Sequence, residues 1–146
     1  MHEVIFWEPK EIKRELLALF PKSAQIFFFK QDRPLFRFLG AIGPGNRTQM
    51  LSLFHDVIKL ESTELAFYML VRQFRLLLAV TTRSNISEVK RLAPWQKARL
   101  ERQSRQFSPD RLALLYRKLF QIERETKTGL NAIPLSASLD LFLTNI

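Results

Sequence analysis

The stretch Ser62-Thr-Glu-Leu-Ala-Phe-Tyr-Met-Leu-Val-Arg-Gln-Phe-Arg-Leu-Leu-Leu-Ala-Val-Thr-Thr82 decides how the rest of the chain must be arranged. Leu65 to Val71 is an unbroken apolar run and Leu76 to Val80 is another. A helix that is apolar around most of its circumference has to be enclosed, either by other elements or by lipid. Lipid is a poor fit. A span needs roughly 20 apolar residues, and Arg72, Gln73 and Arg75 interrupt this segment at its middle. At about 100° per residue, Glu61, Glu64, Tyr68, Arg72, Arg75 and Ala79 fall on one narrow stripe, the single side left for water or a partner. Gln73 lies opposite, among Ala66, Met69, Leu77 and Val80, where an amide needs hydrogen-bond partners. The pattern predicts a central, buried helix.

The 146 residues support one domain of ordinary size with room for a small appendage. An apolar fraction of 47% with 13 Phe allows a sizeable core and argues against global disorder. With only 4 Gly and no Cys, the chain reads as mainly α, and a disulfide framework or a thiolate metal site is excluded. The same absence of Cys fits a reducing, cytoplasmic setting. Glu3 and Glu8 flank only Val4 to Trp7, so no signal peptide is expected. Lys+Arg 23 against Asp+Glu 14 gives a net charge of +9, which favours nucleic acid, an anionic membrane or acidic protein partners through long-range attraction.

Taken in order, Glu3 to Glu8 and Ala24 to Phe29 read as short strands flanking a helix that starts at Pro9 and ends before Pro21. Residues 1–31 are therefore expected to form a small βαβ unit, and two parallel strands alone make no stable sheet. The expectation is a remnant of a larger α/β domain, in a fragment or a shortened relative. Residues 35–146 carry helical spacing throughout and predict a helical bundle of about five to six helices. Gly43-Pro-Gly45 breaks the first of them, Ser62 or Thr63 caps the central one, and Asn85 or Ser87 starts a short helical turn. Pro94 opens a helix to Phe107 whose apolar side is only Leu100 and Phe107, extended by Gln96 and Gln103. Ser108-Pro109 starts the next, Gly129 stops it, and Pro134 begins the last.

Catalytic equipment is thin. His2 and His55 are the only histidines, no phosphate-cradling Gly-Lys-Ser/Thr motif exists, and no carboxylate pair stands out as acid and base. No enzyme, cofactor or metal site is expected. Glu123 falls on the apolar side of its helix with Lys127 four residues on. The pair is either a solvated surface pair or a semi-buried polar pin with Lys127 or Gln73 as donor, and the pin is the expectation. Lys90, Arg91, Lys97, Arg99, Arg102 and Arg105 with Trp95 form a basic segment that either grips phosphates or solvates a thinly apolar helix. Arg72 and Arg75 either face an acidic partner or pair with Glu61 and Glu64 along the helix.

Four of these stretches, in order, resemble one known family. Leu70-Val-Arg-Gln-Phe-Arg-Leu-Leu-Leu78 resembles the L-x-R-Q-x-R-x-L-L signature of the C-terminal domain of the DNA polymerase III delta subunit, part of the bacterial clamp loader. Leu92-Ala-Pro-Trp95 stands where that family has a Pro-aromatic helix start. Gln103-Ser-Arg-Gln-Phe-Ser108 is similar to its Q-A-x-x-F-S, and Glu123 through Lys127-Thr-Gly129 to its D-x-x-x-K-T-G, with Glu replacing Asp. The resemblance covers roughly residues 35–146 and implies a non-catalytic subunit whose helical domain packs into a collar with other loader subunits, as a hetero-oligomer in DNA replication. It also implies that residues 1–31 are the tail of an AAA+-like domain without a working ATP site. The family's clamp-contacting element and its small lid domain have no counterpart in this sequence. The basic surface could add a DNA contact, and no membrane partner is implied. The competing reading is a stand-alone basic helical DNA- or RNA-binding protein.

Overall fold

A computed structural model describes residues 5–6, 12–21, 23–27 and 34–146. Two compact units divide at Asp32 and Arg33. The first contains the four-residue helix α1 (Arg14–Leu17), and the rings of Phe6 and Phe20 meet at 5.6 Å. The expected βαβ unit is not seen. Ile5–Phe6 and residues 24–27 are not in strands, and the rest of both predicted strands lies outside the described residues. None of the described residues of this unit is buried. A helix below about 12 residues depends on packing for its stability, so a short α1 follows from that exposure.

The second unit is helical throughout: α2 (Pro34–Ala41), α3 (Arg47–Leu60), α4 (Thr63–Thr81), α5 (Ser87–Lys90), α6 (Pro94–Ser104), α7 (Pro109–Thr128) and α8 (Leu135–Thr144). The described residues thus hold eight helices, seven of them in this unit, where five to six were expected. Part of the excess is α5, where the chain closes into a helical turn held to α4 by an ion pair described below.

Helix α4 is the hub. It packs against every other helix of this unit. Phe67, Leu70, Phe74 and Leu77 are buried on it, and the ring of Phe74 meets Phe107 and Phe142 edge-on at 6.3 and 5.5 Å. Leu112, Leu115 and Leu119 of α7 close one side, and Phe38 of α2 and Phe54 of α3 pack at 5.6 Å on another. The polar stripe of α4 survives only in its first half: Glu61, Glu64 and Tyr68 are exposed, whereas Ala79 is buried.

The helix ends follow their local chemistry. Ser62 Oγ accepts from the Leu65 amide at 3.1 Å, and Ser108 Oγ from the Arg111 amide at 3.2 Å, each satisfying an orphan first-turn donor. Helices α4 and α7 end in the same pattern of paired amides. Ser84 N–H reaches Ala79 O and Arg83 N–H reaches Val80 O; Leu130 N–H reaches Glu125 O and Gly129 N–H reaches Thr126 O. Both endings need a left-handed residue. Gly129 (φ 70°) adopts it freely, but at α4 the position is occupied by Arg83 (φ 53°). For a residue with a Cβ that conformation costs about 1–2 kcal/mol.

Candidate functional site

The chemistry of the bundle concentrates on α6 and its neighbours. Mean hydropathy of this helix is low, and only Leu100, Gln103 and Ser104 are buried on it, with Phe107 just beyond its end. Gln103 compensates for the thin apolar face. Its Nε2 donates to the carbonyls of Leu39 and Ile42 at 2.8 and 2.9 Å, and its Oε1 accepts from Gln73 Nε2 at 2.7 Å. A carbonyl can only accept, so the end of Gln103 facing α2 must be its NH2 group, which turns its oxygen toward Gln73 and makes Gln73 the donor. Carbonyls at a helix C-terminus have no partner within the helix. Gln103 supplies one for the end of α2 and ties α2, α6 and α4 together. Gly40 and Gly43 allow the approach: the guanidinium of Arg99 and the amide of Gln106 occupy the space that a Cβ at each would fill.

Gln73 therefore bonds to Gln103, not to Glu123. Glu123 bonds with Lys127 on its own helix, with side chains 35% and 72% exposed, which is the geometry of a solvated helical pair. Of the three expected members of one pin, Glu123 and Lys127 bond to each other and Gln73 lies in a separate junction.

Arg72 and Arg75 pair neither with Glu61 nor with Glu64. Both reach Glu88 on α5: Arg72 Nε to Oε1 at 3.3 Å and Arg75 Nη2 to Oε2 at 2.7 Å. Each of the three side chains is a third to under a half exposed, and Arg75 Nε is buried without a partner. One carboxylate thus neutralises much of the charge on the C-terminal half of the α4 stripe and docks α5 there. Glu88 carried a signal in the sequence, being the only acidic residue between Glu64 and Glu101.

The remaining cations divide by face. Relative to the inward-facing Leu100, at about 100° per residue, Lys97 and Arg105 lie on the flank toward the end of α4, Arg99 on the flank toward α2, and Arg102 outward beside Trp95. Trp95 is 66% exposed. Among the described residues none of Lys97, Arg99, Arg102 and Arg105 makes an ion pair. Lys97 and Arg105 join Arg83, Ser84 and Asn85 around a groove of about 770 Å³ between α4, the turn after it and α6. Arg83 was not among the candidates from the sequence, because nothing local marks an arginine that occupies a glycine position. His55 of α3 meets Asp140 of α8 at 2.8 Å, an exposed clasp between helices. Among the described residues no three His, Cys, Asp or Glu side chains converge as metal ligands would, and no helix is long and apolar enough to cross a membrane.

The Leu70–Leu78 and Gln103–Ser108 stretches meet in one hydrogen-bonded junction, and both lie within the span matched by a family model. The model of the DNA polymerase III delta subunit, C-terminal domain, matches residues 32–146. The chain belongs to this family. No curated protein and no solved structure matches the chain. Within this delta-type domain, Gln73 is a contact between helices, and Arg72 and Arg75 face the carboxylate of Glu88.

Proposed function

We propose that residues 32–146 serve as the non-catalytic, collar-type domain of a delta-like clamp-loader subunit, joining other loader subunits into a hetero-oligomer in the cytoplasm during DNA replication. Residues 1–31 would then be the tail of an AAA+-like domain. The match to the delta C-terminal family over residues 32–146 carries this reading. Two features of the fold support it. The polar residues of the signature are used up in holding helices together, which suits a scaffold better than a reaction centre. Large apolar side chains also remain on the surface of four helices or their ends, with Leu60 71%, Tyr68 62%, Phe120 64% and Leu141 59% exposed, which leaves apolar surface that neighbouring subunits could bury. Co-purification from native extract at low salt tests the proposal. Retention of other loader subunits is the expected result, and recovery of the chain without any of them would overturn it.

The second reading, a stand-alone basic DNA- or RNA-binding protein, draws on the unpaired cations of α6 and the net charge of +9. It predicts that reversing Arg99, Arg102 and Arg105 together abolishes DNA binding and with it a steep salt dependence. Unchanged binding removes it.

A further inference from the structure

We infer that the groove between the C-terminal end of α4, the turn Thr82–Asn85 and α6 binds the phosphodiester backbone of a single nucleic-acid strand, with Arg83, Lys97 and Arg105 as its phosphate contacts. This goes beyond the collar reading and uses a different surface from the apolar side chains that support it.

The groove has a volume of about 770 Å³, and its three cations come from two elements on opposite walls. All three are exposed and none has an ion-pair partner among the described residues, unlike Arg72 and Arg75 one turn or more earlier on α4. Glu101 is the single carboxylate in the lining, so the site keeps a cationic excess. Asn85 adds an amide of the kind that bonds phosphate oxygens, whereas the hydroxyl hydrogen of Thr81 is already given to Leu77 O and that of Ser84 to Thr82 Oγ1. The C-terminal end of a helix ordinarily repels anions through its free carbonyls. Here the carbonyls of Leu78, Ala79 and Val80 are occupied by Thr82 Oγ1 and the amides of Ser84 and Arg83, which weakens that repulsion.

Arg83 supplies an independent pointer. The left-handed position it holds is the one Gly129 holds at the end of α7, and glycine would fill it without strain. A strained backbone residue is grounds for a functional hypothesis, and its side chain is what glycine would lack. An acidic peptide fits less well. Peptide recognition draws on a free strand edge, apolar anchor pockets or an arginine cluster; the apolar lining here, Ala79, Val80, Val89 and Phe107, is buried or half-buried, and only Arg83, Ser84, Asn85, Lys97 and Arg105 are exposed in the groove.

The test is fluorescence anisotropy of the full chain with a labelled oligo-dT strand over a range of sodium chloride concentrations. Three phosphate contacts on a single strand predict a slope of log K against log salt of about −2, and Arg83→Ala makes it shallower by about 0.7. Arg83→Gly raises the melting temperature while weakening the oligonucleotide, because it relieves the backbone and deletes the contact. Glu101→Gln tightens binding. A charge-matched control reverses Lys59, Lys118 and Arg124, which lie exposed on other faces, and leaves the affinity within twofold of the parent. Reversing Arg83, Lys97 and Arg105 lowers it at least tenfold with the circular dichroism melt retained. Equal losses from both triple reversals would show only diffuse charge attraction and overturn the site. So would Arg83→Gly with full affinity. A chain that captures loader subunits yet ignores oligo-dT would sink the groove and leave the collar proposal standing.

Discussion

The two flanks of α6 put similar polar side chains to opposite uses. On the inward flank Gln103 is buried and spends its amide on two carbonyls and a glutamine. On the flank toward the end of α4 Lys97 and Arg105, and on the outward side Arg102, are exposed and unpaired among the described residues. A helix with so few apolar residues is held in the bundle by the buried hydrogen bonds of Gln103 as well as by Leu100, and its charge is left available on its other faces. A similar division separates Arg72 and Arg75 from Lys97 and Arg105. Sequence position gives all of them the same appearance, and Glu88 alone makes the difference.

The contrast can be broken from its inner side first. Gln103→Leu strands the carbonyls of Leu39 and Ile42 and the amide of Gln73 together, and should lower stability by about 3 kcal/mol in urea unfolding, at about 1–3 kcal/mol for each buried group left unpaired. A loss below about 1 kcal/mol would show that water takes over the inner flank. Glu88→Gln frees the two arginines of α4. Because these groups are partly exposed, the cost should be about 1 kcal/mol, shrinking as salt is raised. In the same variant the surface charge of α4 joins that of α6, so salt-sensitive attraction for polyanions should increase. The smallest effect belongs to Glu123→Gln, whose pair with Lys127 is a solvated i,i+4 contact worth a few tenths, about 0.3 kcal/mol. A loss of several times that value would restore Glu123 to the role of a buried pin.

How far these features were legible depends on the range of the interactions behind them. The hub role of α4 follows from its own run of apolar residues, and the starts at Ser62 and Ser108 and the stop at Gly129 are written in the residues that make them. Gln73 was legible as an amide in need of a partner, but its partner was not. Gln103 bonds to two backbone carbonyls sixty or more positions away, and carbonyls leave no mark in a sequence. The strand reading near the N-terminus rested on short local apolar runs, whereas a strand exists only by pairing with another, which is not local. The left-handed Arg83 was hidden for a further reason: the turn chemistry points to glycine, and only the hydrogen bonds of Ser84 and Arg83 show that an arginine has taken its place.

The claim on which the rest depends is that the signature glutamine Gln73 acts through Gln103 to lock α4 to α6 and α2. A double-mutant cycle of Gln73→Leu and Gln103→Leu, read by urea unfolding, measures it directly. Gln73→Leu alone leaves the Gln103 oxygen unpaired and should cost about 1–3 kcal/mol, but in the Gln103→Leu background that oxygen is gone. The double variant should therefore be no less stable than Gln103→Leu alone. Costs that simply add would contradict the coupling and with it the role assigned to the signature.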